Sequence, residues 1–188
     1  MLYTRKGDGG TTKTLYCNQR LSKSSAIAEA LGAVDELNSL LGFVKIQCQG
    51  ETLPVKGESL KQGLTLVLNQ VQQNLFIVQA ELAGASDKTI TPEKVTALEK
   101  IIDEIEQKLP PIKTFFVSGG TPLAALCDFA RTVARRAERR VVAAREEKLV
   151  TPSDVTMAYL NRLSSLLYAL ARLVNHEGGI KEEPPTYR

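Results

Sequence analysis

Apolar residues recur every three to four positions through most of this chain, a period that predicts helices rather than strands. From Ser25 to about Gln47 the repeat is Ile27, Leu31, Val34, Leu37, Leu41 and Val44. A second run places Leu60, Leu64, Val67, Leu68, Val71, Leu75, Val78 and Leu82 on one face. Thr91-Pro92 is a start signal: threonine can cap free N–H groups, and proline fits the first helical position. The helix behind it carries Val95, Leu98, Ile102 and Ile105 and stops at Pro110-Pro111. Thr121-Pro122 opens a fourth helix that runs to about Lys148. Thr151-Pro152 opens the last, Asp154 to about Asn175. There Leu163, Leu166, Leu167, Leu170 and Val174 form the apolar face, with Asn161, Ser165, Tyr168 and Arg172 opposite.

The breaks are short. Gln49–Gly57 reads as a surface loop, and Phe115-Phe116-Val117 precedes a Ser118-Gly119-Gly120 turn. The end of the chain, from Gly178-Gly179, reads as extended and mobile. With little strand pattern and no repeat, the fold class expected is all-α: a single five-helix bundle. One domain spans 1–188, with an N-terminal arm over 1–24 and a tail over 178–188.

Composition narrows the function classes. A chain of 188 residues, 43% hydrophobic, is long enough for one packed domain. The net charge of +3 is mild and argues against a general nucleic-acid binder. Cys17, Cys48 and Cys127 are widely spaced, fitting reduced thiols in a cytoplasmic protein better than a disulfide framework or zinc site. No signal segment and no apolar run of the roughly 18 residues a span needs is visible, so no membrane partner is expected.

Candidate chemistry concentrates in the fourth helix. At about 100° per residue, Arg131, Arg135, Glu138 and Arg139 share one side, opposite Leu126, Ala130, Val133, Ala137, Val141 and Ala144. Such a helix can hold a polyanion, although a solvated face of Glu–Arg pairs has the same spacing. The arm Thr4-Arg5-Lys6-Gly7-Asp8-Gly9-Gly10-Thr11-Thr12-Lys13 combines glycines with hydroxyls and cations, a weak phosphate-loop pattern. It is neither a Walker A loop nor a Rossmann fingerprint, and a basic, disordered arm has the same composition. Lys23 precedes the first helix, where it can reach an anion or simply be solvated. Asp35 lies in that helix among apolar neighbours, where a carboxylate usually pairs with a cation from another helix or subunit, although a solvent-facing helix acid has the same pattern. Asn161-Arg162 interrupts a leucine-rich run; a ligand or a helix-to-helix hydrogen bond would satisfy the amide. His176, the only histidine, is expected to cap helix carbonyls. No Ser–His–Asp set, metal-spaced His/Cys cluster or catalytic carboxylate pair is visible.

Five blocks in order carry a family resemblance: Tyr3–Thr12, Gly32–Ser39, Phe115–Gly120, Ala130–Arg140 and Asn161–Ser164. The chain resembles the PduO-type ATP:cob(I)alamin adenosyltransferases over nearly its whole length. The resemblance implies a homotrimeric five-helix bundle with active sites between subunits, transferring the 5′-deoxyadenosyl group of ATP to cob(I)alamin and releasing triphosphate. ATP with Mg2+ and cob(I)alamin would be substrates, with no permanently bound cofactor and no metal held by protein side chains. Thr4, Arg5, Lys6, Gly7, Thr12, Lys13 and Lys23 would bind ATP from one subunit. Arg135, Arg136, Ala137, Glu138, Arg139 and Asn161 match the remaining nucleotide positions, with Arg135 the main catalytic contributor. Asp35 and Arg131 match a pair used across the interface. Phe115 matches the aromatic that presses on the lower corrin face and displaces the dimethylbenzimidazole ligand, and Tyr187 is a candidate cover for the corrin edge. Two positions depart: Ser165 stands where the family often has Asp, and Ser118 where Pro commonly precedes the glycines. The resemblance leaves open a cobalamin reductase or an adenosylcobalamin-dependent enzyme as a protein partner. Two other readings remain, a non-catalytic nucleotide or cobalamin sensor and a partner- or polynucleotide-binding helical protein.

Overall fold

The computed structural model describes residues 3–14, 20–49 and 58–187. Cys17 and positions 50–57 of the expected surface loop lie outside them. Five helices follow a small antiparallel hairpin: β1 (Thr11–Lys13), β2 (Arg20–Ser22), α1 (Ala26–Cys48), α2 (Glu58–Leu82), α3 (Pro92–Glu106), α4 (Pro122–Glu146) and α5 (Asp154–Glu177). The hairpin, too short to show a two-residue period, pairs Thr11 with Ser22 and Lys13 with Arg20.

Helix starts follow the side-chain chemistry. Ser25, Thr121 and Ser153 accept from the backbone N–H groups of Ala28, Ala124 and Thr156, satisfying donors the first turn leaves open. Thus Ser153, two residues past Thr151, caps α5. Thr91 sits at the start of α3 without a side-chain cap bond, and Pro92 fills the first position.

Helix α1 packs on α2 and α4, α4 on α5, and α3 on α5. Buried polar contacts tie α2 to α5: the Asn74 amide donates to the Tyr159 hydroxyl at 3.1 Å, and the Thr156 hydroxyl donates to Glu81 at 2.5 Å. The predicted faces are the core. Leu37, Leu41, Leu68, Leu75, Leu163, Leu166 and Leu167 are fully buried, each contributing roughly 1.5–3 kcal/mol of transfer free energy. In α4 the stripe is wider than its period suggested: Leu123, Ala124, Cys127 and Ala134 join it, while Leu126 is only partly buried. Burial raises the Cys48 and Cys127 thiols to about 11 and about 12, so both stay protonated and unreactive at neutral pH. No helix among the described residues is long and apolar enough to cross a membrane.

Three expectations need correction. The tail is extended but anchored: Val117 N–H donates to the Glu183 carbonyl at 2.8 Å, and Glu182 pairs with Arg172 at 3.0 Å. Arg172, expected on the polar face of α5, is only 4% exposed because that carboxylate and the Pro110 carbonyl satisfy its guanidinium. The end of α5 is capped by backbone: Gly178, Gly179 and Ile180 N–H groups donate to the Val174, His176 and Asn175 carbonyls, and His176 is exposed.

Candidate active site

The outward side of α4 is where the core requirement ends and the charged residues begin. With Ala130, Val133, Ala134 and Ala137 committed inward, Arg135, Arg136, Arg139 and Arg140 are turned to the surface and Arg131 to its margin. Two faces result. Arg136 pairs with Glu36 of α1 at 2.6 Å, and Arg140 approaches Glu29 at 3.9 Å. These half-exposed pairs knit α4 to α1 and contribute little energy.

Arg131 and Arg135 face the other way, into a cavity of about 520 Å³ between α4, α5 and the loop after α3. Its walls are Ile112, Thr114, Phe115, Phe116, Arg131, Arg135, Ser164, Ser165 and Tyr168. Phe115 is 78% exposed, an expensive place for an aromatic unless something covers it. Arg131 is fixed by Asp128, one helical turn back, at 2.6 Å, and its guanidinium lies 5.9 Å from the Tyr168 ring. Burial pushes the Asp128 carboxyl up, but hydrogen bonds from Arg131 and Ser118 and the arginine's charge outweigh it and hold the group below its usual value. Burial likewise raises the Tyr168 hydroxyl, which stays neutral. The cavity lining therefore combines the guanidinium groups of Arg131 and Arg135 with the aromatic rings of Phe115, Phe116 and Tyr168.

Beyond the rim, Asn161 is exposed and makes the helix-to-helix contact: its Nδ2 donates to Glu138 at 3.0 Å. Arg162 donates to the Asn161 Oδ1 at 2.8 Å and to Glu99 of α3 at 2.8 Å. A donor-only guanidinium on one side and a carboxylate on the other leave the amide a single orientation. Ala137 is fully buried, so its side chain lies in the core.

The loop enters the cavity because α5 holds its far end. Asn175 donates to the Gly119 carbonyl and accepts from Thr121 N–H, both at 3.0 Å. Gly120 has φ +95°, and a Cβ there would lie 2.2 Å from Asn175 Oδ1, so glycine is required.

None of the nine cavity residues comes from the arm. The arm curls on itself: Arg20 donates to the Lys6 carbonyl and to Thr11 Oγ1, the latter at 2.8 Å, and Lys23 N–H donates to the Gly10 carbonyl at 2.9 Å. A Cβ on Gly7 would lie 3.2 Å from Lys23 Nζ, so the ammonium rests against the glycine. Thr4, Arg5, Lys6 and Lys13 are exposed around it, and Thr12 is half-buried in the hairpin. Asp35 is exposed and accepts from Gln79 at 3.3 Å; within one chain it does not meet Arg131. A larger cavity, about 830 Å³, lies at the opposite end, between the arm and the α2–α3 and α4–α5 turns. Its lining contains neither the arginines nor an aromatic.

Two arginines and an exposed aromatic thus line one cavity. The chain matches the family model for cobalamin adenosyltransferase over residues 2–174. It belongs to that family. It is 39% identical over 182 residues to the corrinoid adenosyltransferase PduO of Citrobacter freundii, covering 94% of this chain and 50% of that protein. The Salmonella typhimurium PduO is 40% identical over 177 residues, covering 91% and 48%. The chain thus spans about half the length of these two relatives. The Bacillus subtilis corrinoid adenosyltransferase is 36% identical over 182 residues, covering 95% of this chain and 89% of that one. Among solved structures, a variant PduO-type ATP:corrinoid adenosyltransferase from Lactobacillus reuteri, complexed with cobalamin and ATP, aligns with a TM-score of 0.86 at 32% identity over 100% of this chain and 97% of that one.

Several cavity residues of this cobalamin adenosyltransferase family member were not singled out from sequence as site residues. Tyr168 and Ser164 follow Asn161 on α5 at helical spacing, a usable signal. Asp128, outside the lining but paired with Arg131, stands three residues before it, a second usable spacing. Ile112 and Thr114 had none, because their position depends on contacts distant in sequence.

Proposed function

We propose that this chain transfers the 5′-deoxyadenosyl group of ATP to the cobalt of cob(I)alamin, releasing triphosphate. The observation that carries this reading is that Arg135 and Phe115 line one cavity. It joins a site for a leaving polyanion to an apolar surface suited to a corrin ring. The electron pair of Co(I) forms the Co–C5′ bond as the C5′–O bond breaks, and the triphosphate departs with that bond's electrons. Cobalt rises from +1 to +3, and no protein base has to move a proton. The chain's own contribution is to hold C5′ in line and to neutralise the growing charge on the leaving group.

Arg135 is assigned the largest share, with Arg131 beside it. Arg139, Glu138 and Asn161 form the rim toward the nucleotide, and Arg136 joins them on leaving Glu36. The donors in the cavity are guanidinium groups, which suit phosphate. Among the described residues no group of three or more His, Cys, Asp or Glu is placed to hold a metal ion. Mg2+ would enter with ATP, held by its phosphate oxygens. Phe115 presses on the lower corrin face and excludes the nitrogenous ligand, making cobalt easier to reduce.

The arm residues Thr4, Arg5, Lys6, Gly7, Thr12, Lys13 and Lys23 complete the nucleotide site from a neighbouring copy. Two observations favour a homotrimer with such shared sites. Among the described residues, the arm lines no part of the arginine cavity of its own chain. Phe43 on α1 and Phe129 on α4 are 49% and 56% exposed, on the two helices that carry Asp35 and Arg131. In the assembly Asp35 of one subunit pairs with Arg131 of the next. A cytoplasmic location fits the same reading.

Anaerobic incubation with MgATP and chemically reduced cobalamin tests the proposal. Loss of the Co(I) absorbance with one triphosphate per adenosylcobalamin is expected. ATP binding without turnover would contradict it and favour a sensor.

A further inference from the structure

The loop from Pro110 to Gly120 carries Phe115 to the cavity, yet it contains no helix or strand of its own. Its near end is held by one buried group. The Arg172 guanidinium, 4% exposed, donates from Nη2 to the Pro110 carbonyl at 3.0 Å, and its Cζ lies 5.4 Å from the centre of the Phe116 ring. Its Nε donates to Glu182 in the tail, with Oε2 at 3.0 Å and Oε1 at 3.3 Å. The next tail residue completes the clamp, the Glu183 carbonyl accepting from Val117 N–H at 2.8 Å.

We propose that Arg172 and Glu182 are positioning residues for the reaction: the tail, docked through this pair, holds residues 110–117 against α5 and so sets where Phe115 stands. The inference rests on the adenosyltransferase reading.

A guanidinium this buried cannot be left without a counter-charge, and the carboxylate that satisfies it comes from the tail. Docking the tail and burying Arg172 are therefore one event. Phe116 lies against the arginine, and Val117 is bonded to the tail. Phe115 precedes both, with adjacent Cα atoms about 3.8 Å apart, so their positions fix its own to within one residue's freedom. Phe115 itself is exposed and has too little packing to set its place unaided. Glu182 does not line the cavity, so its influence on chemistry has to pass through the loop.

Glu182→Ala tests this from the tail side, avoiding the risk that Arg172→Ala fails to fold. The variant should stay folded and bind ATP as tightly, because the tail undocks and water reaches the Arg172 guanidinium it leaves. Its kcat should fall by about tenfold or more, the scale that misplacement of a reacting partner produces. The fraction of bound cobalamin with its lower ligand displaced, read from the absorbance spectrum, should fall with it, and the Val117 amide should exchange hydrogen faster. Glu182→Ala combined with Phe115→Ala should be no slower than Phe115→Ala alone, because Glu182 acts through that ring. Parent-like kcat and spectrum in Glu182→Ala, or losses that multiply in the double variant, would overturn the proposal. Should the parent itself prove inactive, the function reading fails separately; unchanged Val117 exchange in Glu182→Ala would then overturn the clamp on its own.

Discussion

The two walls of the cavity are built in opposite ways. Helix α4 places Arg131 and Arg135 by periodicity: its small apolar residues must face α1 and α5, and the arginines fall where the core ends. The loop from 110 to 120 places Phe115 by long-range ties, with Arg172 at one end, Asn175 at the other and the tail between them. One wall can be shifted only by breaking the bundle. The other depends on a few polar contacts between residues far apart in sequence. A site of this kind combines a rigid electrostatic surface with an aromatic whose place is adjustable in evolution by changes remote from it.

Substitutions on each wall should differ in kind. Arg135→Ala should reduce kcat/KM by at least about a hundredfold, the scale for loss of a preorganised charge partner. Its far-UV circular dichroism and melting temperature should match the parent, because the side chain is exposed. Phe115→Ala should slow adenosylation by about tenfold or more while leaving the ATP dissociation constant within about a factor of two, since loss of the ring alters positioning but no nucleotide contact. Calorimetric titration beside steady-state rates separates the two effects; equal losses in both would remove the distinction between the walls.

Asn175→Ala strikes the loop's far anchor. It leaves the Gly119 carbonyl and Thr121 N–H without their partner, so urea unfolding should show a loss of roughly 1–3 kcal/mol. Asp128→Asn has the smallest effect and is a matter of pH. The Asp128 carboxyl is held below its ordinary 3.8, so its contribution to stability is present above that value and lost as pH falls through the lower folded one. The parent should therefore lose stability more steeply than Asp128→Asn as pH drops below about 5. Parallel acid-unfolding curves would show that the Asp128–Arg131 pair does not stabilise the wall.

The same contrast separates what was legible in the sequence from what was not. All five helices could be read, because residues such as Leu37, Leu68, Ile105 and Leu163 repeat at core spacing and Ser, Thr and Pro mark the starts. The arginine face followed from the same count. Arg172 was misread as surface because spacing places it near Tyr168, and nothing local reveals that Glu182 folds back to neutralise it. The anchored tail was missed for the same reason. Its Pro and Gly content resembles a mobile end, and the bond that ties Glu183 to Val117 reaches a loop two elements earlier in the chain. The β1–β2 hairpin, three residues to a strand, is too short for any period to show.

The most direct test of the account is a crystal structure of the protein with MgATP and cobalamin bound together. The triphosphate should lie within hydrogen-bond distance of Arg135, with Phe115 against the lower face of the corrin in the same cavity. ATP bound instead in the larger cavity beside Thr14 and Lys148, away from Arg135, would contradict it.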